Sequence, residues 1–228
     1  MTGWSWPPLD ALGEQERAAF WRCTSSHRHA PGEAVFLEGD PGHQLHVVVS
    51  GHLAVRVTTS AGHAATLNVL GPGDAFGELA LLPGPHGGRR SASVVALDEV
   101  VTRVVARRDF EALRAEHPSV DAVLLAVLAD RVRELSRRLL ETMHAPLDRR
   151  LAGCLVDLVR VYGPGKDDGT RVVVPLTQEQ LADMVGGARP TVSTLLQRLE
   201  RQGAVVLGRG RVVLSDLAAL RAAASAPG

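Results

Sequence analysis

Residues 176–200 read LTQEQLADMVGGARPTVSTLLQRLE, and the punctuation of this stretch decides how the C-terminal third of the chain folds. Thr177, with Gln180 three residues on, is a capping-box start. Leu181, Met184 and Val185 supply the buried face of a short helix, and Gly186-Gly187 breaks it with a tight turn. A second helix is predicted from about Arg189 to Gln202, with Val192, Leu195, Leu196 and Leu199 buried and Gly203 placed to cap its end. Helix, tight turn, helix is the layout that lays a second helix in a DNA major groove. The positions left exposed on it are Arg189, Thr191, Ser193, Thr194, Gln197, Arg198 and Arg201. All can donate hydrogen bonds to phosphates or base edges, and none is acidic. VVLGRGRVVL (205–214) follows as a hairpin with Gly-Arg-Gly at its tip, a basic wing carrying Arg209.

Working outward, residues 147–162 (LDRRLAGCLVDLVRVY) are predicted helical, followed by a Gly/Asp loop (GPGKDDG) and a short strand in RVVVP. Residues 146–228 carry 11 Lys/Arg against 8 Asp/Glu, a balance of +3, whereas the rest carries 14 against 17, a balance of −3. A mildly basic C-terminal part suits a polyanionic partner. Upstream, a long helix is expected from about Ser119 to Met143. Its Leu125, Leu128, Val132, Leu135 and Leu139 are spaced 3, 4, 3, 4, the seam of a two-stranded coiled coil, which predicts a homodimer. Asp130, Arg131, Arg133, Glu134, Arg137 and Arg138 would face solvent or flank that seam, and Pro146 ends the helix at a hinge.

From 27 to 105 the texture is different. Short Val-rich runs (AVFLE, LHVVVS, HLAVRV, ATLNVL, SASVVAL, VVTRVVA) alternate with turn signals (APGE, EGDPGH, SGH, SAGH, GPGD). Val and Thr favour pleated positions and Gly supplies positive φ in turns, so a β-domain of roughly eight short strands is expected, flanked by helices over 9–23 and 108–118. The fold class is therefore α+β: a β-domain over 1–118, a small barrel, sandwich or roll with flanking helices, then a dimerisation helix over 119–145 and a winged helix-turn-helix over 146–228.

Composition excludes several classes. Apolar residues make up 45% of 228, enough for real cores, and net charge is zero. Cys23 and Cys154 stand alone, with no C-x-x-C, so neither a metal site nor a redox motif is indicated, and Cys154 reads as a small core residue. No early signal segment appears and no apolar run reaches the roughly 18 residues of a membrane span, so the expectation is a cytoplasmic chain with reduced thiols. No G-x-S-x-G, phosphate-loop or zinc motif points to an enzyme.

Residues 76–97, FGELALLPGPHGGRRSASVVAL, place a carboxylate and a guanidinium against an apolar run. Together with LTQEQLADMVGGARPTVSTLLQRLE, and in the order β-roll, dimerising helix, winged helix, the chain resembles the cyclic-AMP receptor protein/fumarate–nitrate regulator family of bacterial transcription factors over nearly its whole length. The resemblance implies that 76–97 is a phosphate-binding cassette. Gly77 lets the backbone approach a ligand, and the run with Glu78, Leu79 and Ala80 forms a short helix whose free N–H groups face an anion. Glu78 accepts from a ribose 2′-hydroxyl, Arg90 takes the cyclic phosphate and Ser91 adds a hydrogen bond. The alternative is a Glu–Arg ion pair closing the roll.

Departures from the family bear on specificity, and the Gly/Pro-rich loop from Glu78 to Arg90 is also a little longer than in its cyclic-AMP-responsive members. Where its cyclic-AMP binders place a Thr-Ser or Thr-Asn pair against adenine, this chain has Leu135-Ser136; Ser136 keeps one polar contact, but Leu135 cannot donate. The implied effector is cyclic AMP or cyclic GMP, with no cofactor required. A non-nucleotide effector, no effector, or action on another protein are the alternatives. The resemblance also assigns Thr177, Gln178, Arg189, Thr191, Ser193, Thr194, Arg198 and Arg209 to double-stranded DNA with near-palindromic operators, and makes RNA polymerase a further partner. The family often reads Arg-Glu-Thr-Val where this chain has Arg189-Pro190-Thr191-Val192, and Thr194 stands where a second guanine-reading Arg is common. An iron–sulfur sensor would need a cysteine cluster. A heme sensor would need an axial histidine, and His43, His46, His52, His63 and His86 read as surface or loop residues.

Overall fold

The computed structural model describes residues 6–58, 62, 64–82, 88–163 and 171–225. The chain divides into two compact units, residues 1–58 with 70–135, and 59–69 with 136–228.

Antiparallel strands build the first unit, except that residues 64–69 of the fifth strand belong to the second. β1 (Thr24–His29), β2 (Ala34–Phe36), β3 (Gln44–Ser50), β4 (Leu53–Thr58), β5 (Ala64–Leu70), β6 (Ala75–Phe76), β7 (Ser93–Ala96) and β8 (Val100–Ala106) form two four-stranded sheets. Their orders are β1-β8-β3-β6 and β2-β7-β4-β5. Val48, Phe76 and Val100 from the first sheet meet Leu53, Leu70, Val94 and Ala96 from the second in one apolar cluster. This is the expected β-roll. The Val-rich runs become strands, but β1 is TSSHRH, mostly exposed, and apolar patterning could not reveal it. Its register against β8, Thr24↔Val105 to His29↔Val100, makes it a strand through backbone pairing alone.

A second core lies under the helices. α1 (Glu14–Arg22) follows a 3-10 turn at Pro7–Leu9, so the helix expected over 9–23 starts later. α2 (Arg107–Glu116) is followed by a second 3-10 turn, Pro118–Val120. Trp6, Phe20, Phe110, Leu113, Val120 and Val123 pack together with Leu45 and Val105, and the Trp6 and Phe20 rings are 5.8 Å apart.

α3 (Asp121–His144) is the predicted long helix. Leu125, Val132, Leu135 and Leu139 are 58–66% exposed along it, joined by Leu140 and Met143. Leu128, on the same expected seam, is half-buried against the core of its own unit. The stripe Val123, Leu124, Val127, Leu128 continues round the helix onto that core.

The second unit holds α4 (Leu147–Tyr162), β9 (Val172–Val174), α5 (Gln178–Val185), α6 (Arg189–Arg201), β10 (Val205–Gly208), β11 (Arg211–Leu214) and α7 (Leu217–Ser225). Most of the GPGKDDG loop lies outside the described residues. The capping box forms as read: Thr177 Oγ1 accepts from Gln180 N–H (3.2 Å) and Gln180 Oε1 from Thr177 N–H (2.8 Å). Gly186 is left-handed (φ +61°), the conformation that turns α5 into α6 without a Cβ penalty. Leu181, Val185, Val192, Leu196 and Leu199 are buried, whereas Met184 and Leu195, expected in the core, are half-buried at its margin. The three-stranded sheet has the order β10-β11-β9. Arg209 and Gly210 lie between the paired Gly208 and Arg211. α7 is an addition to the sequence reading; Asp216 Oδ1 accepts from Ala219 N–H at 2.9 Å, and the Ser-Asp-Leu start is its legible signal. Cys154 is half-buried on α4, and burial pushes its thiol up to about 12, which leaves it unreactive at neutral pH.

Candidate effector pocket and nucleic-acid interface

In the first unit, Arg90 precedes β7 and is buried. Its backbone is clasped by the β2–β3 turn: its N–H donates to the Asp40 carbonyl (2.9 Å) and its carbonyl accepts from Gly39 N–H (2.8 Å). The guanidinium carbon sits 3.9 Å above the Phe36 ring. Nη1 donates to the carbonyls of Gln44 (3.0 Å) and, more weakly, Gly77 (3.4 Å). Nε is buried with no hydrogen-bond partner among the described residues. Burial lowers the Arg90 pKa, against the opposing pull of Glu78 and Asp40, yet an arginine stays charged. Neighbouring Arg89 is exposed and donates to the Gly39 carbonyl at 2.8 Å.

Gly77 has φ +78°, and a Cβ there would strike Arg90 Nη1 and approach the Gln44 carbonyl to 2.8 Å. Glycine is thus required twice, for the conformation and for the guanidinium beside it. The short helix expected after it is a 3-10 turn, Glu78–Leu81, the form that so short a run takes. Glu78 is buried, Leu79 is exposed, and Ser91 is exposed. Residues 83–87 of the cassette loop and the Ala80 side chain lie outside the described residues.

Two residues at this site escaped sequence reasoning. Arg131, expected to flank the dimer seam, lies with Nε 3.9 Å from Glu78 Oε1. It extends the α3 stripe that faces the roll, which is its signal. The ion partner of Glu78 among the described residues is therefore Arg131, not Arg90. His46, expected at the surface, is buried on β3, stacked on Phe76 at 4.8 Å and edge-on to Phe36 at 5.9 Å. Burial and then the Arg90 charge, with smaller contributions from His29 and His27, push its pKa down to about 3. His46 is thus a neutral aromatic surface beside a buried cation. Of the other histidines, His52 pairs with Asp98 at 2.6 Å and His43 is exposed, while His63 and His86 lie outside the described residues.

The His46 shift has a consequence for acid stability. Its folded pKa lies below the ordinary 6.5, so its contribution is fully present above about 6.5 and is lost as pH falls towards 3. At about 1.4 kcal/mol per unit this amounts to a few kcal/mol. Urea unfolding at pH 7 and pH 4.5 is expected to show that loss, and His46→Phe is expected to flatten it.

Ser136 lies exposed on α3, in the second unit. In that same unit Arg189, Thr191, Thr194 and Arg198 are exposed on α6, Ser193 is half-buried, Thr177 and Gln178 start α5, and Arg209 is exposed on the wing. Ala188 supplies no side-chain cap to α6, so its first amides are unclaimed by a cap and suit a phosphate. Pro190 stands in the first turn, where its missing N–H costs the helix nothing. Glu200 Oε1 accepts from Leu207 N–H at 2.8 Å, tying the end of α6 to the wing.

Comparison with known proteins agrees with this geometry. Residues 26–117 match the cyclic nucleotide-binding domain and residues 149–223 the Crp-like helix-turn-helix domain. A CRP-like cAMP-activated global transcriptional regulator of Mycobacterium tuberculosis is 34% identical over 189 residues, covering 81% of each chain. The chain belongs to the CRP/FNR family of transcription regulators. A cyclic AMP receptor protein of Thermus thermophilus is 35% identical to this CRP/FNR regulator over 189 residues, 83% of each chain. The solved structure of a CRP/FNR-family transcriptional regulator from Thermus thermophilus superposes with a TM-score of 0.74 at 26% identity, covering 90% of this chain and all of that one. This CRP/FNR regulator is accordingly a DNA-binding transcription regulator with a cyclic nucleotide-binding domain, not an enzyme. Among the described residues no helix is long and apolar enough to cross a membrane, and no cluster of three or more His, Cys, Asp or Glu is placed to hold a metal.

Proposed function

We propose that this CRP/FNR regulator works as a homodimer whose affinity for a near-palindromic operator is set by a cyclic nucleotide, cyclic AMP or cyclic GMP, held by Arg90 and Glu78. The observation that carries the reading is the buried Arg90 guanidinium. It rests on Phe36, donates to two backbone carbonyls and, among the described residues, keeps a buried Nε without a hydrogen-bond partner. A buried cation whose hydrogen bonds go to neutral carbonyls is poised for an anion. Names of relatives at 34–35% identity support cyclic AMP, and Leu135, which cannot donate to a purine nitrogen, makes cyclic GMP the necessary comparison. In this reading Gly77, Leu79 and Ala80 bring backbone to the ligand, while Ser91 and Ser136 add polar contacts. The regulator acts in the cytoplasm, where its DNA lies, with RNA polymerase as the partner of the bound dimer.

Calorimetry with both nucleotides in parallel, followed by mobility shift of operator DNA with and without the tighter one, tests this directly. Absence of binding to either nucleotide would remove the effector from the proposal and leave the DNA reading standing. Glu78→Ala is expected to weaken nucleotide binding by about 1–3 kcal/mol, as for one charge-assisted hydrogen bond. Its loss also frees Arg131, so Arg131→Ala serves as the companion measurement.

On DNA, Arg189 carries the fork that matches guanine O6 and N7, so Arg189→Ala is expected to cost about 1–3 kcal/mol and relax specificity at one base pair per half-site. Arg209→Ala, on the wing, is expected to weaken all sequences alike and flatten the salt slope by about one unit. A binding-site selection in which Arg189→Ala returns the parent's motif would show that Arg189 is not the base reader.

A further inference from the structure

The outward face of α6 follows from its buried one. At about 100° per residue, Val192, Leu196 and Leu199 define the inner side, and Pro190, Thr194, Gln197 and Arg201 lie opposite; all four are exposed. Nearest the N-terminus, where recognition helices meet base edges, this stripe consists of Pro190 and Thr194. Pro190 has no N–H and no polar side-chain atom. The Thr194 hydroxyl donates to the Pro190 carbonyl at 3.1 Å, the back-bond to residue i−4 open to threonine in a helix. That bond takes the only proton the hydroxyl has. What the pair offers a base is a pyrrolidine ring and a γ-methyl, an apolar step next in sequence to the Arg189 fork.

The major groove carries one apolar base-edge group, the thymine 5-methyl. We propose that Pro190 and Thr194 read a thymine through that methyl, at a base pair adjoining the one contacted by Arg189. The inference rests on α6 being the DNA-reading helix and deepens that reading by naming what its central face selects. Guanine and adenine present no methyl, and their N7 acceptors find no free donor at Pro190 or Thr194. Cytosine lacks the methyl and its N4 donor could meet only the residual lone pair on the Thr194 hydroxyl.

The test begins by selecting operators from random duplexes with the full-length protein and both cyclic nucleotides present. Each thymine of the selected operator is then replaced by deoxyuridine, one symmetric pair at a time, which removes only the 5-methyl. One pair is expected to weaken binding by about fourfold per half-site, the worth of one buried methyl, and so by about fifteenfold for the dimer. Thr194→Ser, which keeps the hydroxyl and lacks the methyl, is expected to lose most of that penalty. Thr194→Val, which keeps the methyl and lacks the hydroxyl, is expected to retain it. The proposal is overturned if no thymine pair is sensitive, or if Thr194→Ser keeps the full penalty. A selected motif that stays unchanged when Arg189 and Thr194 are both replaced by Ala would instead overturn the assignment of α6 as the DNA-reading helix.

Discussion

Arg90→Ala is expected to abolish most cyclic-nucleotide affinity, by about 2–5 kcal/mol, or roughly thirtyfold to several thousandfold. The magnitude follows from burial. A phosphate seated at Arg90 would leave water for a buried cation, and without the guanidinium only neutral hydrogen bonds offset that transfer. The site is also shaped around this residue: Gly77 has no Cβ where Arg90 Nη1 lies, and Phe36 underlies the planar group. Arg90→Lys is expected to recover only part of the loss, since an ammonium keeps the charge but neither the fork nor the stack. Isothermal calorimetry with cyclic AMP and cyclic GMP reads both variants. Circular dichroism of the unliganded proteins separates lost affinity from lost fold. An Arg90→Ala protein that is folded and binds as tightly as the parent would remove the cassette from the effector site.

The second large effect is expected in assembly. Val132→Asp with Leu139→Asp should convert the dimer to monomer at micromolar concentration in sedimentation equilibrium. Each aspartate would place a charge in the seam of both helices. Loss of a buried Leu alone costs about 2–5 kcal/mol, so the pair of changes exceeds what a dimer of ordinary affinity can absorb. These positions are chosen because they are exposed in the single chain and have no packing role there to confound the result. Leu128 is the poorer probe, since it leans on the core of its own unit and its replacement would destabilise the protomer as well. Operator binding should fall with the dimer, because two recognition helices about 34 Å apart are needed to span two half-sites. A double variant that remains dimeric would locate the interface elsewhere.

The amino-acid sequence determined those features whose cause is local. The capping box at Thr177 and Gln180, the left-handed Gly186, and the 3-4 spacing along α3 are statements about residues within a few positions of one another. So is α7, whose Ser-Asp start is a signal of the same short range. The Val-rich runs announced strands because β-propensity and the turn residues that bound each run are themselves local. The cassette motif drew attention to Glu78 and Arg90 for the same reason. Tertiary structure alone decided who meets whom. β1 is polar and becomes a strand only because β8, far along the chain, offers it a backbone ladder. His46 is one histidine among nine, and its burial depends on Phe36 and Phe76 arriving from two other strands. The tie from Glu78 to Arg131 instead of Arg90 depends on which side of α3 turns to the roll. It also decided that Leu128 is half-buried against a core while Leu139 is exposed: identical side chains on one predicted seam differ by what the rest of the fold places against them.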